Sequence, residues 1–167
     1  MLDRSSQVWE LVKLAGEAAK SNACSLFLVN DEGTALEPAV VIGLPKEYVD
    51  GISLVRVGEQ CCGRAVQSQR PWVVRDMLTN PLFADGAKGA EDSGIRAAFS
   101  VPVFGRGGRV LGSLACHFNK PHTPTNVDIE RNELYAKLIG FALQDVAMVR
   151  ERPVSGSFPA VRVADKN

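Results

Sequence analysis

Gly58-Glu59-Gln60-Cys61-Cys62-Gly63-Arg64-Ala65-Val66, followed by Pro71-Trp72-Val73-Val74-Arg75-Asp76, is the stretch whose reading decides the fold. It gives a glycine-punctuated turn into a short helix over 61–69, then an apolar strand over 71–76. Downstream, 95–104 and 109–118 are two more strands flanking Gly105-Arg106-Gly107-Gly108, whose glycines supply the positive φ angles of a tight hairpin. Between these and the first strand, Asn80-Pro81 and the small residues of 84–94 break regular structure and make a candidate lid. This order builds a small sheet with one face roofed by loops and short helices. A small ligand fits under such a roof.

Towards the N-terminus, 24–30 and 36–44 are apolar runs around Asp31-Glu32-Gly33 and pair as a hairpin; 45–51 is a short helix and 53–57 an extended piece. Val8, Leu11, Val12 and Ala15 lie at helical spacing, which predicts a first helix over about 5–20 with its cap among residues 3–6. Towards the C-terminus, Thr123-Pro124-Thr125 opens a second long helix to about residue 150, with threonine as cap and proline pre-set for the first turn. Val127, Leu134, Leu138 and Phe141, widened by Ile129 and Ile139, make that helix apolar on more than one face. Such a helix requires two partners: the sheet with the first helix, and a second copy of the chain. Pro153, Ser155, Gly156, Ser157 and Pro159 dilute the pattern, so residues 1–150 are expected as one domain and 151–167 as a flexible tail or linker.

The composition narrows the function. With 167 residues and 46% hydrophobic content the chain fills one core and not two. Lys+Arg and Asp+Glu are both 19, so no overall field draws nucleic acid or acidic lipid. No apolar run reaches the roughly 18 to 20 residues of a membrane span, and no charged segment leads into a short apolar one at the start, so a cytoplasmic location without membrane or nucleic-acid partners is expected. The cysteines Cys24, Cys61, Cys62 and Cys116 lack the spacing of a metal knuckle or a redox CxxC, and buried reduced thiols are the ordinary reading.

From about residue 21 to 146 the chain resembles a GAF domain, the small-molecule sensing module of bacterial signalling proteins. The resemblance rests on 58–66 ahead of the Pro-Trp-Val-Val-Arg-Asp strand, Asn80-Pro81-Leu82-Phe83, 94–103, 107–114 and Pro121-His122-Thr123-Pro124, taken in their order and spacing. It implies an α+β fold: a central antiparallel sheet of five or six strands in the order 2-1-5-4-3, terminal helices on one face and the ligand pocket on the other. The implied role is regulatory sensing, with no catalytic or metal residues and no cofactor named. Phe118-Asn119-Lys120 has the wrong order for a cyclic-nucleotide signature. The lid lacks the cysteine that anchors a tetrapyrrole, and only His117 and His122 exist as haem ligands. Cys62-Gly63 matches a turn of the free methionine-(R)-sulfoxide reductase branch, but 84–94 lacks its other cysteines and Ser113-Leu114-Ala115-Cys116 replaces its acidic clamp. A reductase-like enzyme, a thiol switch at Cys62 with its pKa lowered by the helix start, and a ligand-free dimerisation spacer stand as alternatives.

The resemblance places the ligand against Cys61, Cys62, Trp72, Val74, Asp76, Met77, Phe83, Arg96, Ala98, Ser100, Ser113, Ala115 and His117. Arg75, Asp76 and Arg96 are the charged groups best placed to select a polar or anionic ligand, with Arg96 as its anchor. Enclosure between 61–66, the 77–94 lid and the strands near Phe99 and Ala115 would order the lid and shift the sheet. The terminal helices would carry that shift through a homodimer to a kinase, cyclase or transcription module, in cis or in trans, as in two-component signalling.

Overall fold

The computed structural model describes residues 3–148 and 162–164, the side chains of 84–88, 90, 145–148 and 162–164 excepted. Helix α1 (Arg4–Ala18) starts where the Asp3 carboxylate accepts from the Ser6 N–H at 2.8 Å, and it buries Val8, Val12 and Ala15 along one stripe. Strands β1 (Ala23–Val29) and β2 (Ala35–Ile42) form the expected hairpin, followed by helix α2 (Lys46–Gly51) and the two-residue strand β3 (Val55–Arg56). Helix α3 (Gln60–Ser68) then leads to β4 (Trp72–Val74). Segment 84–94, expected to be irregular, is ordered as a 3-10 turn (Pro81–Gly86) running into helix α4 (Ala87–Ser93). Ala87, Lys88, Ala90 and Glu91 favour helix, and the one interior glycine, Gly89, costs only about 1 kcal/mol.

Strands β5 (Ala97–Phe104) and β6 (Val110–Phe118) pair through a hairpin with Gly107 at φ 73° and Gly108 at φ 80°. The closing helix α5 (Asn126–Met148) is capped reciprocally: the Thr125 hydroxyl accepts from the Asp128 N–H at 3.1 Å and the Asp128 carboxylate accepts from the Thr125 N–H at 2.8 Å. Pro124 therefore precedes the cap and does not sit in the first turn. A short strand β7 (Arg162–Ala164) runs parallel beside Val40–Ile42, so part of the span expected as a tail pairs with the sheet; residues 149–161 and 165–167 lie outside the described residues.

The six antiparallel strands are ordered β3-β2-β1-β6-β5-β4. With the two-residue β3 set aside and the other strands counted in chain order, this is 2-1-5-4-3. Helices α1 and α5 pack on each other and on one face, where Val12, Leu26, Val101, Leu114 and Ile139 are wholly buried. Gly140 brings α5 against β5, since a Cβ there would collide with the Phe104 carbonyl oxygen. Helix α3 packs on the opposite face of β5 and β6, and Gly63 lets it approach β3 closely, since a Cβ there would strike the Arg56 carbonyl oxygen.

Candidate functional site

The site follows from strand pairing. On the face under α3, register places Ser25, Ala115, Ser100 and Trp72 opposite one another in a row across β1, β6, β5 and β4. The neighbouring row is Ala23, His117, Ala98 and Val74. Ala115 and Ser100 at the centre of the first row keep this part of the sheet shallow, and α3 closes over it with Cys61, Cys62, Ala65 and Val66 buried.

What remains is an inner chamber of about 20 Å³ between Ser25, Ser100, Ala115 and His117 below and Cys61 and Cys62 above. That is room for about one water-sized group. Next to it an outer cleft of about 710 Å³ lies between α2 and α4, bordered by Pro45, Phe83 and Asp92. Tyr48, Ile52, Gln60 and Met77 line both spaces and form the partition between them. Gln60 holds that position at φ 51°, in the left-handed region, an uncommon conformation for a residue with a Cβ.

The polar atoms of the chamber are incompletely paired. Ser25 Oγ lies 3.0 Å from His117 Nε2, while His117 Nδ1 and Ser100 Oγ are buried without a partner. Burial pushes the His117 imidazole down to about 4, so it is neutral at pH 7. The thiol of Cys61 spends its contacts on the carbonyl oxygens of Trp72 at 3.3 Å and Ala98 at 3.8 Å, and leaves the adjacent Ser100 hydroxyl without a bond of proper geometry. Burial raises Cys61 and Cys62 to about 12, and only secondarily do nearby polar groups oppose it. The acidified Cys62 on which the thiol-switch alternative depends is therefore not present: desolvation outweighs the helix start.

Of the residues expected to contact a ligand, Cys61, Cys62, Met77, Ser100, Ala115 and His117 are brought together around the chamber, and Phe83 lines the outer cleft. Ala98 and Val74 belong to the same face but are packed in the core beside it. Ser113 lies opposite Phe27 and Pro102, one row away from the chamber, and is buried. Trp72 ends its row with Arg64 stacked 5.6 Å from its ring. Phe99 points to the other face and stacks on Phe118, so it forms no part of the pocket.

Arg96 and Asp76 need a further correction. Arg96 Nε and Nη2 donate to the two Asp76 carboxylate oxygens at 3.0 and 2.7 Å, a bidentate pair in which each charge is spent on the other. This pairing holds the Asp76 carboxyl below its usual range, and Met77 N–H donates to the Arg96 carbonyl at 2.6 Å alongside it. The pair therefore clips the end of β4 to the start of β5, and neither residue lines either space. Sequence reasoning missed Ser25, Tyr48 and Gln60. Alternation along β1 could have found Ser25, a lone polar residue inside an apolar run, whereas nothing local marks Tyr48 or Gln60 as neighbours of that strand.

The chain matches the GAF domain family model over residues 5–143. It belongs to the GAF domain family. Among curated relatives, this GAF domain is 27% identical over 139 residues to the methyl sulfide methyltransferase-associated sensor of Methanosarcina acetivorans, covering 81% of this chain and 14% of that protein. It is 30% identical over 145 residues to the Nif-specific regulatory protein of Herbaspirillum seropedicae, covering 83% of this chain and 26% of that one. The chain thus spans about a quarter or less of these relatives. Similar solved structures include the GAF domain of a phosphoenolpyruvate-protein phosphotransferase from Coxiella burnetii, with TM-score 0.73, 18% identity and coverage of 89% of this chain and 87% of that one. The free methionine-R-sulfoxide reductase of Neisseria meningitidis, in complex with its substrate, aligns with TM-score 0.71 and 19% identity over 89% and 82%. At these identities the two structures speak for the fold alone.

Among the described residues no helix is long and apolar enough to cross a membrane, and no group of three or more His, Cys, Asp or Glu is placed to hold a metal ion.

Proposed function

We propose that this GAF domain is the regulatory input module of a signalling protein. A small molecule enters through the outer cleft, reaches the chamber under α3, and changes how α1 and α5 sit on the far face of the same strands. The observation that carries this reading is the pair of unpartnered, buried polar atoms on Ser100 and His117, facing a chamber that only four side chains separate from a cleft of about 710 Å³. Leaving buried polar atoms unpaired costs about 1 to 3 kcal/mol each, and a ligand that pairs them recovers it. The route onward is short, because Ser100 faces the chamber while its neighbours on β5, Val101 and Val103, face the helices.

Val127, Leu134, Leu138 and Phe141 stand 51 to 64% exposed on α5 at spacings of seven, four and three residues. This is the seam of a helix that pairs with another helix, and it supports a homodimer through the terminal helices. The output is a module of the sensor or regulator class to which the curated relatives belong, joined in cis or met in trans, in the cytoplasm. Catalysis fits the site poorly, since thiols held near 12 supply almost no thiolate at neutral pH.

A second reading, a closed dimerisation spacer, has its own support: a chamber of about 20 Å³ admits nothing larger than water unless the partition moves. Thermal shift of the chain against a panel of small metabolites, in parallel with Ala115→Val, separates the two. Under the sensor reading, at least one compound raises the melting temperature of the parent by several degrees and loses that effect in the variant, whose methyl groups occupy the chamber. Equal responses, or none, favour the spacer.

A further inference from the structure

The inner chamber differs from an ordinary polar pocket in its charge. None of the residues that line it is Asp, Glu, Lys or Arg. Its titratable members are uncharged at neutral pH, and burial moves each further from its charged form: the Tyr48 hydroxyl and the Cys61 and Cys62 thiols are pushed up, and the His117 imidazole is pushed down. Arg96 is paired with Asp76 and Arg64 lies over the Trp72 ring; neither lines the chamber, although the Arg64 charge reaches Cys61 and its Nε is buried without a partner. A charged group seated here would lose its water without meeting a counter-charge in the lining: an ammonium would face Arg64 with no carboxylate near it, and a carboxylate would have only Arg64, held outside the lining.

Hydrogen bonding, by contrast, is on offer in both senses. With Nε2 engaged by Ser25, a neutral His117 presents Nδ1 either as an N–H donor or as a lone pair, and the Ser25 hydroxyl can turn to complement either tautomer. Ser100 Oγ can also donate or accept, and although the Cys61 thiol lies beside it, it makes no hydrogen bond of proper geometry.

Resting on the reading of this pocket as a ligand site, we infer that the group received at its inner end is uncharged and carries both a donor and an acceptor, as a primary amide or an alcohol does, held between Ser100 and His117. The remainder of the molecule lies in the outer cleft, past the partition of Tyr48, Ile52, Gln60 and Met77. The partition has to move aside to admit an amide head to a chamber of about 20 Å³, and through that same opening a carboxylate or ammonium head is disfavoured by the lack of a counter-charge in the lining and not by size.

Propionamide, propionate and propylammonium are matched in size and differ in charge, which makes them suitable probes. They are titrated at constant ionic strength into the isotope-labelled chain, following the backbone amides of Ser100 and His117 and the imidazole nitrogens. Propionamide should shift these signals at a concentration at least about tenfold lower than either ion, and Ser100→Ala should weaken it several-fold with the remaining spectrum unchanged. If propionate or propylammonium binds there as well as the amide does, the neutral-head inference is overturned while the pocket reading survives. If none of the three moves these signals, both fall.

Discussion

The two faces of this sheet are equally dry and chemically opposite. On the helix side Leu26, Val101, Leu114 and Ile139 are fully buried among one another, and the one polar side chain buried there on α5, Asn132, meets Cys116 Sγ at 3.4 Å. On the other side, one residue away along the same strands, Ser25, Ser100 and Ser113 are also fully buried. Of five buried side-chain atoms without a partner among the described residues, three belong to that second face: Ser100 Oγ, Ser113 Oγ and His117 Nδ1. The difference assigns a task to each face: the first holds the domain together, and the second stays ready for something it does not itself contain.

The largest test of that division is on the helix side. Leu114→Ala removes a fully buried side chain from the cluster shared by α1, α5 and the sheet, and should cost about 3 to 4 kcal/mol in denaturant unfolding, the range of cavity-forming substitutions in well-packed cores. A cost below about 1 kcal/mol would mean that α1 and α5 are only loosely seated, and the contrast between the faces would be lost.

The next effect is a pH dependence that belongs to the pocket face. His117 titrates at about 4 in the folded chain and near 6.5 when unfolded, because burial disfavours its charged form. Below 6.5 the unfolded chain takes up the proton first, so stability is full above pH 6.5 and falls as the pH drops towards 4, by about 1.4 kcal/mol per pH unit and about 3 kcal/mol over the whole window. Asp76 and Asp128, both held below the usual carboxylate range, lose their contributions only at still lower pH. Unfolding measured between pH 7 and 4.5 should therefore decline in the parent and much less in His117→Gln. Parallel curves would place the imidazole in contact with water and undo the description of the chamber.

Much of this was legible in the sequence, for physical reasons that differ between the parts. The hairpins and the two long helices follow from alternation, from glycines at positive φ and from a cap at Thr125, all of which act within a few residues, whereas the strand order comes only from the GAF resemblance. The chamber was half legible: the GAF resemblance names Cys61 and Cys62, which lie on α3, and Ser100, Ala115 and His117, which lie on the strands beneath it. Arg96 and Asp76 were misjudged because a charge free in sequence is not free in space; twenty positions apart, they meet in a bidentate pair. Tyr48 and Gln60 were missed for the converse reason, since what brings them to β1 and β6 is the closure of α2 and α3 over the sheet, a long-range event with no local signal. The helix at 87–93 was lost to its own composition, small residues and a glycine that indicate a loop unless the neighbouring cleft is known.

The smallest expected effect cuts the comparison most finely, because it uses two adjacent residues of β5. Val101 faces the helices and Ser100 the chamber, and both are fully buried. Val101→Ala opens a cavity in an apolar core and should destabilise by about 2 kcal/mol. Ser100→Ala removes a hydroxyl that has no partner and leaves the methylene in place, so the desolvation penalty disappears with the oxygen and the chain should gain about 1 kcal/mol. Opposite signs at neighbouring positions cannot come from strand propensity, which treats both changes alike, and must come from the face each residue serves. If Ser100→Ala instead destabilises by 1 kcal/mol or more, its hydroxyl is satisfied in solution by a bound water, and the pocket face rests in a paired state that a ligand has to displace.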